Sequence, residues 1–276
     1  MRILITGGAT GLGQAIALKW AEKWVNKDKD ISICVADINQ ERGDKTVDML
    51  CAQGANAFYV HCDITSDNDV KTLAQIIEAD WGGVDYVFNN AGVATGGSLL
   101  DETIDQWQWV FNINVLGMVR VSRALLPLMR KQGSGYFINV ASQAGLTPIP
   151  YMGSYNSVKA AVVSFSETMK LELAPDNINV SVVCPSFFKT NLDESMRSNN
   201  PASHKMINKF FAKADMTKEK VAESIYQQVG QGKFLILTHK LGKRAFLLKK
   251  LLPTQRYISN MLNQTKTMKR AMEKHS

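Results

Sequence analysis

Short apolar runs of four to six residues alternate along the chain with longer segments in which apolar positions recur every three or four residues. The short runs predict strands at Ile3–Thr6, Ile31–Ala36, Ala57–His61, Val84–Asn89, Tyr136–Ala141, Asn179–Cys184 and Phe234–Leu237. The longer segments predict helices at Gly13–Val25, Gln40–Gln53, Asp67–Trp81, Asp105–Arg130, Ser154–Leu173 and Lys218–Val229. Ser66 is placed to cap the third helix, with Asp69 in its first turn. Strand and helix alternating in this way predict an α/β fold: a doubly wound parallel sheet of about seven strands with helices on both faces. Nothing breaks the pattern before about Leu237, so residues 1–238 are expected to form one domain and 239–276 a helical extension.

Composition adds little until charge is divided along the chain. The 276 residues are 45% hydrophobic and 21% charged, ordinary for a soluble globular protein. The net charge is +7, yet from Gln231 to Ser276 there are eleven Lys/Arg against the single acid Glu273. The segment 231–276 therefore holds a surplus of ten positive charges and the rest of the chain stands at −3, which argues against nucleic acid as a partner of the body. The opening "MRILITGG" is too short an apolar run for a signal peptide, and no stretch approaches a membrane span, so a cytoplasmic location is expected. Cys34, Cys51, Cys62 and Cys184 lack metal-ligand spacing and do not cluster with the histidines; they read as reduced thiols, and no metal site is expected.

In a sheet of this kind ligands bind at the carboxyl ends of the strands. The first strand ends in "TGGATGLG", where Gly7, Gly11 and Gly13 permit a tight turn and a close backbone approach. Gly7, Thr10, Gly11, Leu12 and Gly13 are thus candidates to hold a pyrophosphate at the start of the next helix. A glycine-rich turn without a ligand is the plainer reading of that stretch alone. Asp37 ends the second strand 24 residues beyond Gly13, close to the roughly 20-residue offset of an acid that bonds an adenosine ribose. A carboxylate there repels a 2′-phosphate, which favours NAD over NADP, although Arg42 lies just downstream. Asp63 and Ile64 follow the third strand, where Asp63 can bond an adenine edge. Asn89, Asn90, Ala91 and Gly92 leave the fourth with small residues and amides suited to cofactor contact. Each signal is weak alone, since Asp and Asn favour turns. Four of them fall at four successive strand ends.

Ser142 sits at the end of the fifth strand, and Tyr155 and Lys159 follow at a spacing that puts both on one helix face. A phenol titrates near 10 when unperturbed, and a neighbouring ammonium is expected to lower it by about 1–3 units, toward the range where general acid/base catalysis is efficient. Ser142 is placed to bond a substrate oxygen as charge develops on it. A packed tyrosine beside a solvated lysine remains the bland account of the pair in isolation.

Taken together, "TGGATGLG", "NNAG", Ser142 and "YNSVK" resemble the short-chain dehydrogenase/reductase family in its compact single-domain, Rossmann-like form, over roughly Arg2 to Leu237. The resemblance implies an oxidoreductase acting on CH–OH groups with NAD(P). Tyr155 would exchange the proton while hydride passes to or from the nicotinamide. Lys159 would lower the phenol pKa and bond the nicotinamide ribose. Ser142 would position the substrate oxygen, and Asn114 would hold a water beside the lysine. Pro185, Phe188 and Thr190 match positions that contact the nicotinamide and phosphates, although Ser186 stands where the family usually has glycine. Relatives pair the helices matching Asp105–Arg130 and Ser154–Leu173, which implies a homodimer or homotetramer.

The segments expected to shape the substrate pocket, including a loop over about residues 186–216, carry Leu146, Ile149, Tyr151, Met152, Phe187, Phe188, Met196, Met206, Phe210 and Phe211. These favour a lipophilic secondary alcohol or ketone. Lys189 and Arg197 are the candidate clamps for an acidic substrate. An NADPH-dependent carbonyl or 3-oxoacyl reductase is the alternative within the family. A non-catalytic NAD-binding scaffold or sensor is the alternative outside it. In the extension, Leu241, Ala245, Leu248 and Leu252 repeat at helical spacing among Lys243, Arg244, Lys249 and Lys250 until Pro253. That pattern suits peripheral contact with an anionic membrane, or a helix docked over the substrate loop or a neighbouring subunit.

Overall fold

A computed structural model describes residues 1–188, 194, 196–200, 205, 214 and 216–273. Seven parallel strands form one sheet: β1 (Arg2–Thr6), β2 (Ser32–Asp37), β3 (Asn56–His61), β4 (Tyr86–Asn89), β5 (Gly135–Val140), β6 (Ile178–Val183) and β7 (Leu235–Ile236). Their order is β3-β2-β1-β4-β5-β6-β7. Each strand falls where an apolar run predicts it. The central strands β1, β4 and β5 are covered on both faces, which is why they read as continuous rather than alternating runs.

The crossover helices are α1 (Gly11–Val25), α2 (Gln40–Ala52), α3 (Asp67–Trp81), α4 (Ile104–Phe111), α5 (Met118–Gln132), α6 (Gly153–Leu173) and α7 (Lys218–Gly230). Ser66 accepts the amide of Asp69 at the start of α3, as its capping sequence predicts. The span Asp105–Arg130 is not one α-helix. A π-helical segment, Asn112–Gly117, joins α4 to α5, and α5 continues through Pro127. The extension forms α8 (Lys240–Leu251) and α9 (Thr254–Glu273), broken at Pro253 as expected.

Two cores cover the faces of the sheet. On one, the fully buried Trp20 of α1 meets Phe88 of β4 edge-on at 4.8 Å and Tyr226 of α7 at 4.9 Å. This ring cluster fixes α1, and with it the turn that begins that helix, against the sheet. On the other face, Val70, Leu73 and Ile77 of α3 pack with Val121, Leu125 and Met129 of α5. Along the β1 edge, Arg2 Nη2 is bonded to Asp85 Oδ1 at 2.7 Å, tying the first strand to the start of the fourth. Trp20→Ala is expected to cost about 3–5 kcal/mol of stability, read as a lower denaturation midpoint at unchanged slope.

Candidate active site

The sheet order reverses direction between β1 and β4, so their crossovers run to opposite sides and leave a crevice at the carboxyl ends. A cavity of about 500 Å³ opens there, and residues following β1 through β6 line it.

The glycine turn forms one end. Gly7 has φ +61°, a left-handed conformation that an L side chain resists. A side chain at Gly13 would overlap the Gly7 carbonyl and the Asn90 amide, so α1 packs more tightly on the turn than any other residue would allow. Thr10 precedes α1 in extended backbone without a side-chain cap, leaving the first N–H groups of the helix without side-chain partners. Gly7, Thr10, Gly11 and Leu12 line the cavity; Gly13 supports them from behind. Such a cradle of backbone donors at the positive end of a helix fits a pyrophosphate.

Asp37 also lines the cavity. Its carboxylate accepts the amides of Ala9 and Asn39, each at 3.1 Å, and is thereby fixed across the mouth of the turn. Arg42 reaches the same wall, with its Nη1 on Glu194 Oε2 at 3.0 Å. Asp63 and Ile64 line the adjoining wall, and one Asp63 oxygen accepts both the amide and the hydroxyl of Thr65. Asn90, Ala91 and Gly92 face the cavity, with the Asn90 amide group donating to the carbonyls of Thr6 and Gly7 at 3.0 Å. Asn89 does not. Its side chain is buried beneath the sheet and donates to Ser122 and Asn139.

Ser142, Tyr155 and Lys159 meet at the other end. Lys159 Nζ is buried, donates to the Val140 carbonyl at 3.1 Å and lies 5.7 Å from the centre of the Tyr155 ring. The expected lowering of the phenol pKa is not what this environment produces. Burial pushes Tyr155 up to about 12, against the opposing pull of the Ser142 hydroxyl. Burial likewise pushes the Lys159 ammonium down to about 8. Both groups are largely buried, and desolvation disfavours the charged form of each.

Asn114 lies in the π-helical segment and does not line the cavity. Its side chain grips Val93 instead, accepting that residue's amide and donating to its carbonyl, both at 2.9 Å. The start of α6 is held by a buried carboxylate. Glu102 accepts the Ser154 amide at 3.0 Å and its hydroxyl at 2.6 Å, one position before Tyr155.

Pro185, Phe187 and Phe188 line the cavity with Ile149 and Met152, while Leu146 and Met196 are buried beside it. Tyr151 takes a left-handed φ of +63° next to Met152 and is not part of the lining. Arg197 is no clamp for an acidic substrate: its guanidinium lies 3.8 Å over Trp109, outside the cavity. Thr190, Lys189, Met206, Phe210 and Phe211 fall outside the described residues. Glu102, Glu194 and His239 carry no local sequence signal. His239 Nδ1 accepts the Ser186 amide at 3.2 Å and its ring lies against Phe188.

Comparison with known proteins agrees with this architecture. The profile of the family described as short chain dehydrogenase matches residues 1–201. The CLA biosynthesis dehydrogenase/reductase of Lactiplantibacillus plantarum is 29% identical over 256 residues, covering 86% of this chain and 87% of that protein. The cyclopentanol dehydrogenase of Comamonas sp. is 31% identical over 194 residues, covering 70% of this chain and 75% of that protein. Among solved structures, a short chain dehydrogenase/reductase from Burkholderia phymatum in complex with NAD superposes with a TM-score of 0.82 at 30% identity, covering 90% of this chain and 92% of the other. With the family profile spanning well over half of the chain and this likeness extending far past the motifs, the chain belongs to the short-chain dehydrogenase/reductase family and is a nicotinamide-dependent oxidoreductase.

Proposed function

We propose that this enzyme interconverts a lipophilic secondary alcohol and its ketone with NAD, using Tyr155 as general acid and base. The observation that carries the reading is the meeting of Ser142, Tyr155 and Lys159 at one end of a cavity whose other end is the glycine cradle. Gly7, Thr10, Gly11 and Leu12 would hold the pyrophosphate, Asp37 the adenosine ribose, and Asp63 or Ile64 the adenine. Asn90, Ala91, Gly92, Lys159, Pro185 and Phe188 would hold the nicotinamide half. When bound, the nicotinamide supplies a hydride acceptor or donor. In oxidation the Tyr155 oxygen takes the hydroxyl proton of the alcohol; in reduction it returns that proton to the carbonyl oxygen. The Ser142 hydroxyl donates to the same substrate oxygen. Lys159 favours the phenolate whenever the tyrosine gives up its proton. Asn114, by gripping Val93, holds the loop that approaches Lys159 and would carry the water that relays protons outward.

Ile149, Met152, Phe187 and Phe188 give the substrate end an apolar wall, which supports a lipophilic ligand. The relatives named for cyclopentanol and for CLA biosynthesis are in keeping with such substrates. NAD is favoured over NADP because Asp37 presents a carboxylate at the ribose end while Arg42 is engaged by Glu194. Arg42 is also the observation that favours the NADPH-dependent carbonyl or 3-oxoacyl reductase, since it lines the same wall. The exposed Phe111 and Leu116 on the run from α4 to α5 support a homodimer or homotetramer.

Three outcomes test these assignments. A phenol held near 12 is already the proton donor at neutral pH, so reduction needs no prior ionisation whereas oxidation must wait for the phenolate. The kcat/KM for alcohol oxidation should therefore rise by about tenfold per pH unit through the alkaline range, while that for ketone reduction stays level. Tyr155→Phe should lose about two to four orders of magnitude in both directions and still bind NADH by fluorescence; retained turnover would refute the assignment. Asp37→Ser should weaken NADH and tighten NADPH, moving the ratio of their dissociation constants by about tenfold or more. An unchanged ratio would remove Asp37 from the ribose site.

A fourth outcome concerns stability. Lys159 drops from its ordinary 10.5 to about 8, so its burial costs about 3 kcal/mol at pH 7 as an upper bound. The unfolded chain binds the extra proton between those values. The cost is thus full below pH 8 and fades as pH rises toward 10.5. In thermal melts of the cofactor-free protein, Lys159→Met should be inactive yet more stable at pH 7, with the advantage shrinking in alkali.

A further inference from the structure

The C-terminal extension is not arranged like a helix content to face water. On α8 the residues that touch the body are Gly242, Phe246 and Lys249, spaced at i, i+4 and i+7. Gly242 accepts a hydrogen bond from the Gln143 amide, and Lys249 Nζ donates to the Leu146 carbonyl. The helix is thus anchored to the segment that follows β5, directly beside Ser142. Its opposite face should be polar. It instead carries Leu241, Leu247, Leu248 and Leu251, which are 72%, 54%, 53% and 81% exposed. Lys240, Lys243, Arg244 and Lys250 stand among and beside these leucines, and among the described residues no carboxylate pairs with them. On α9, Ile258 and Leu262 are likewise exposed, and Arg256 lies in its first turn. Acids are absent from the extension until Glu273.

We propose that the outward face of α8 is a docking surface for an anionic phospholipid bilayer. The four leucines enter the boundary between headgroups and acyl chains, and the flanking cations sit on lipid phosphates. Charge complementarity selects this occupant. A second copy of the chain would bring the same surplus of ten positive charges against itself, and a neutral apolar partner would leave the cations unused. Among the described residues no helix is long and apolar enough to cross a membrane, so the contact lies along the surface. Because the other face of α8 is bonded to Gln143 and Leu146, docking brings the bilayer to within about one helix diameter, roughly 10 Å, of the segment beside Ser142. The docking itself stands independently of the reaction proposed above.

Full-length protein, sedimented with vesicles of phosphatidylcholine plus phosphatidylglycerol and with phosphatidylcholine alone, tests the surface without an activity assay. Binding to the anionic vesicles is expected, weakening at high salt and falling by about tenfold or more on neutral vesicles. Leu247→Ser/Leu251→Ser, which keeps every charge, and Lys243→Glu/Lys250→Glu, which keeps every leucine, should each reduce binding by about tenfold or more. All four positions are exposed, so NADH binding and melting temperature should stay unchanged in both variants and report an intact fold. Equal recovery on the two vesicle types overturns the proposal. So does absence of vesicle binding combined with a concentration-dependent dimer that Leu247→Ser/Leu251→Ser dissolves, which would assign the face to a second copy. Retention on duplex DNA without retention on vesicles overturns it as well.

Discussion

The tie between β1 and β4 at the switch point of the sheet is the constraint on which the rest depends. Thr6 Oγ1 receives the amides of Asn90 and Ala91, while the Asn90 side chain donates to the carbonyls of Thr6 and Gly7. These bonds close the ends of two neighbouring strands on each other exactly where their crossovers diverge. The strands are parallel and covered on both faces, so a shift in register would break these bonds and force both close-packed cores to repack. The turn after β1 therefore has one position available to it. Gly7 and Gly13 are what allow α1 to begin there, and the Trp20 cluster holds the far part of that helix down. A cradle of backbone donors, of the kind that fits a pyrophosphate, follows from these contacts without a single charged side chain.

At the opposite end of the cavity the structure gives up stability. A phenol and an ammonium are buried together, and the environment pushes each away from its charged form. A core built for stability alone would put apolar side chains there. The surrounding bonds limit how the pair can relax. Lys159 is held by the Val140 carbonyl, Asn114 grips Val93 opposite it, and Glu102 fixes the amide of Ser154 at the start of α6. Ordered this way, the pair is held in place, which suits the proton transfer proposed above.

The sheet was legible because buried parallel strands leave an uninterrupted apolar run, and each of the seven runs found its strand. The glycine turn and the strand-end Asp and Asn that line the cavity were legible for a related reason: tight backbone turns demand glycine, and turn chemistry at strand ends favours Asp and Asn. Where tertiary contact overrides local preference, legibility stopped. The run Asp105–Arg130 has an unbroken helical pattern, yet its ladder widens at Asn112–Gly117 as Asn114 binds Val93. Asn89 shares the small polar character of Asn90 but belongs to a buried network with Ser122 and Asn139. Spacing placed Tyr155 beside Lys159 correctly, but spacing carries no information on how dry the site is. The sign of the phenol's shift was therefore out of its reach. Glu194 lies 152 residues from Arg42 and His239 lies 53 from Ser186, so neither pairing leaves a local trace.

The extension connects these themes. Its charge was plain from composition, but which leucines face outward depended on which residues of α8 the body had already engaged. Gly242, Phe246 and Lys249 are taken by the segment after β5 and the core beside it, and that choice rotates Leu241, Leu247, Leu248 and Leu251 toward solvent. The same contacts couple the helix to the site. Gln143 bonds both Gly242 and Thr147, and its amide donates to the Pro185 carbonyl at the start of the apolar wall. Gln143 thus touches both α8 and the strand ends that hold Ser142 and Pro185.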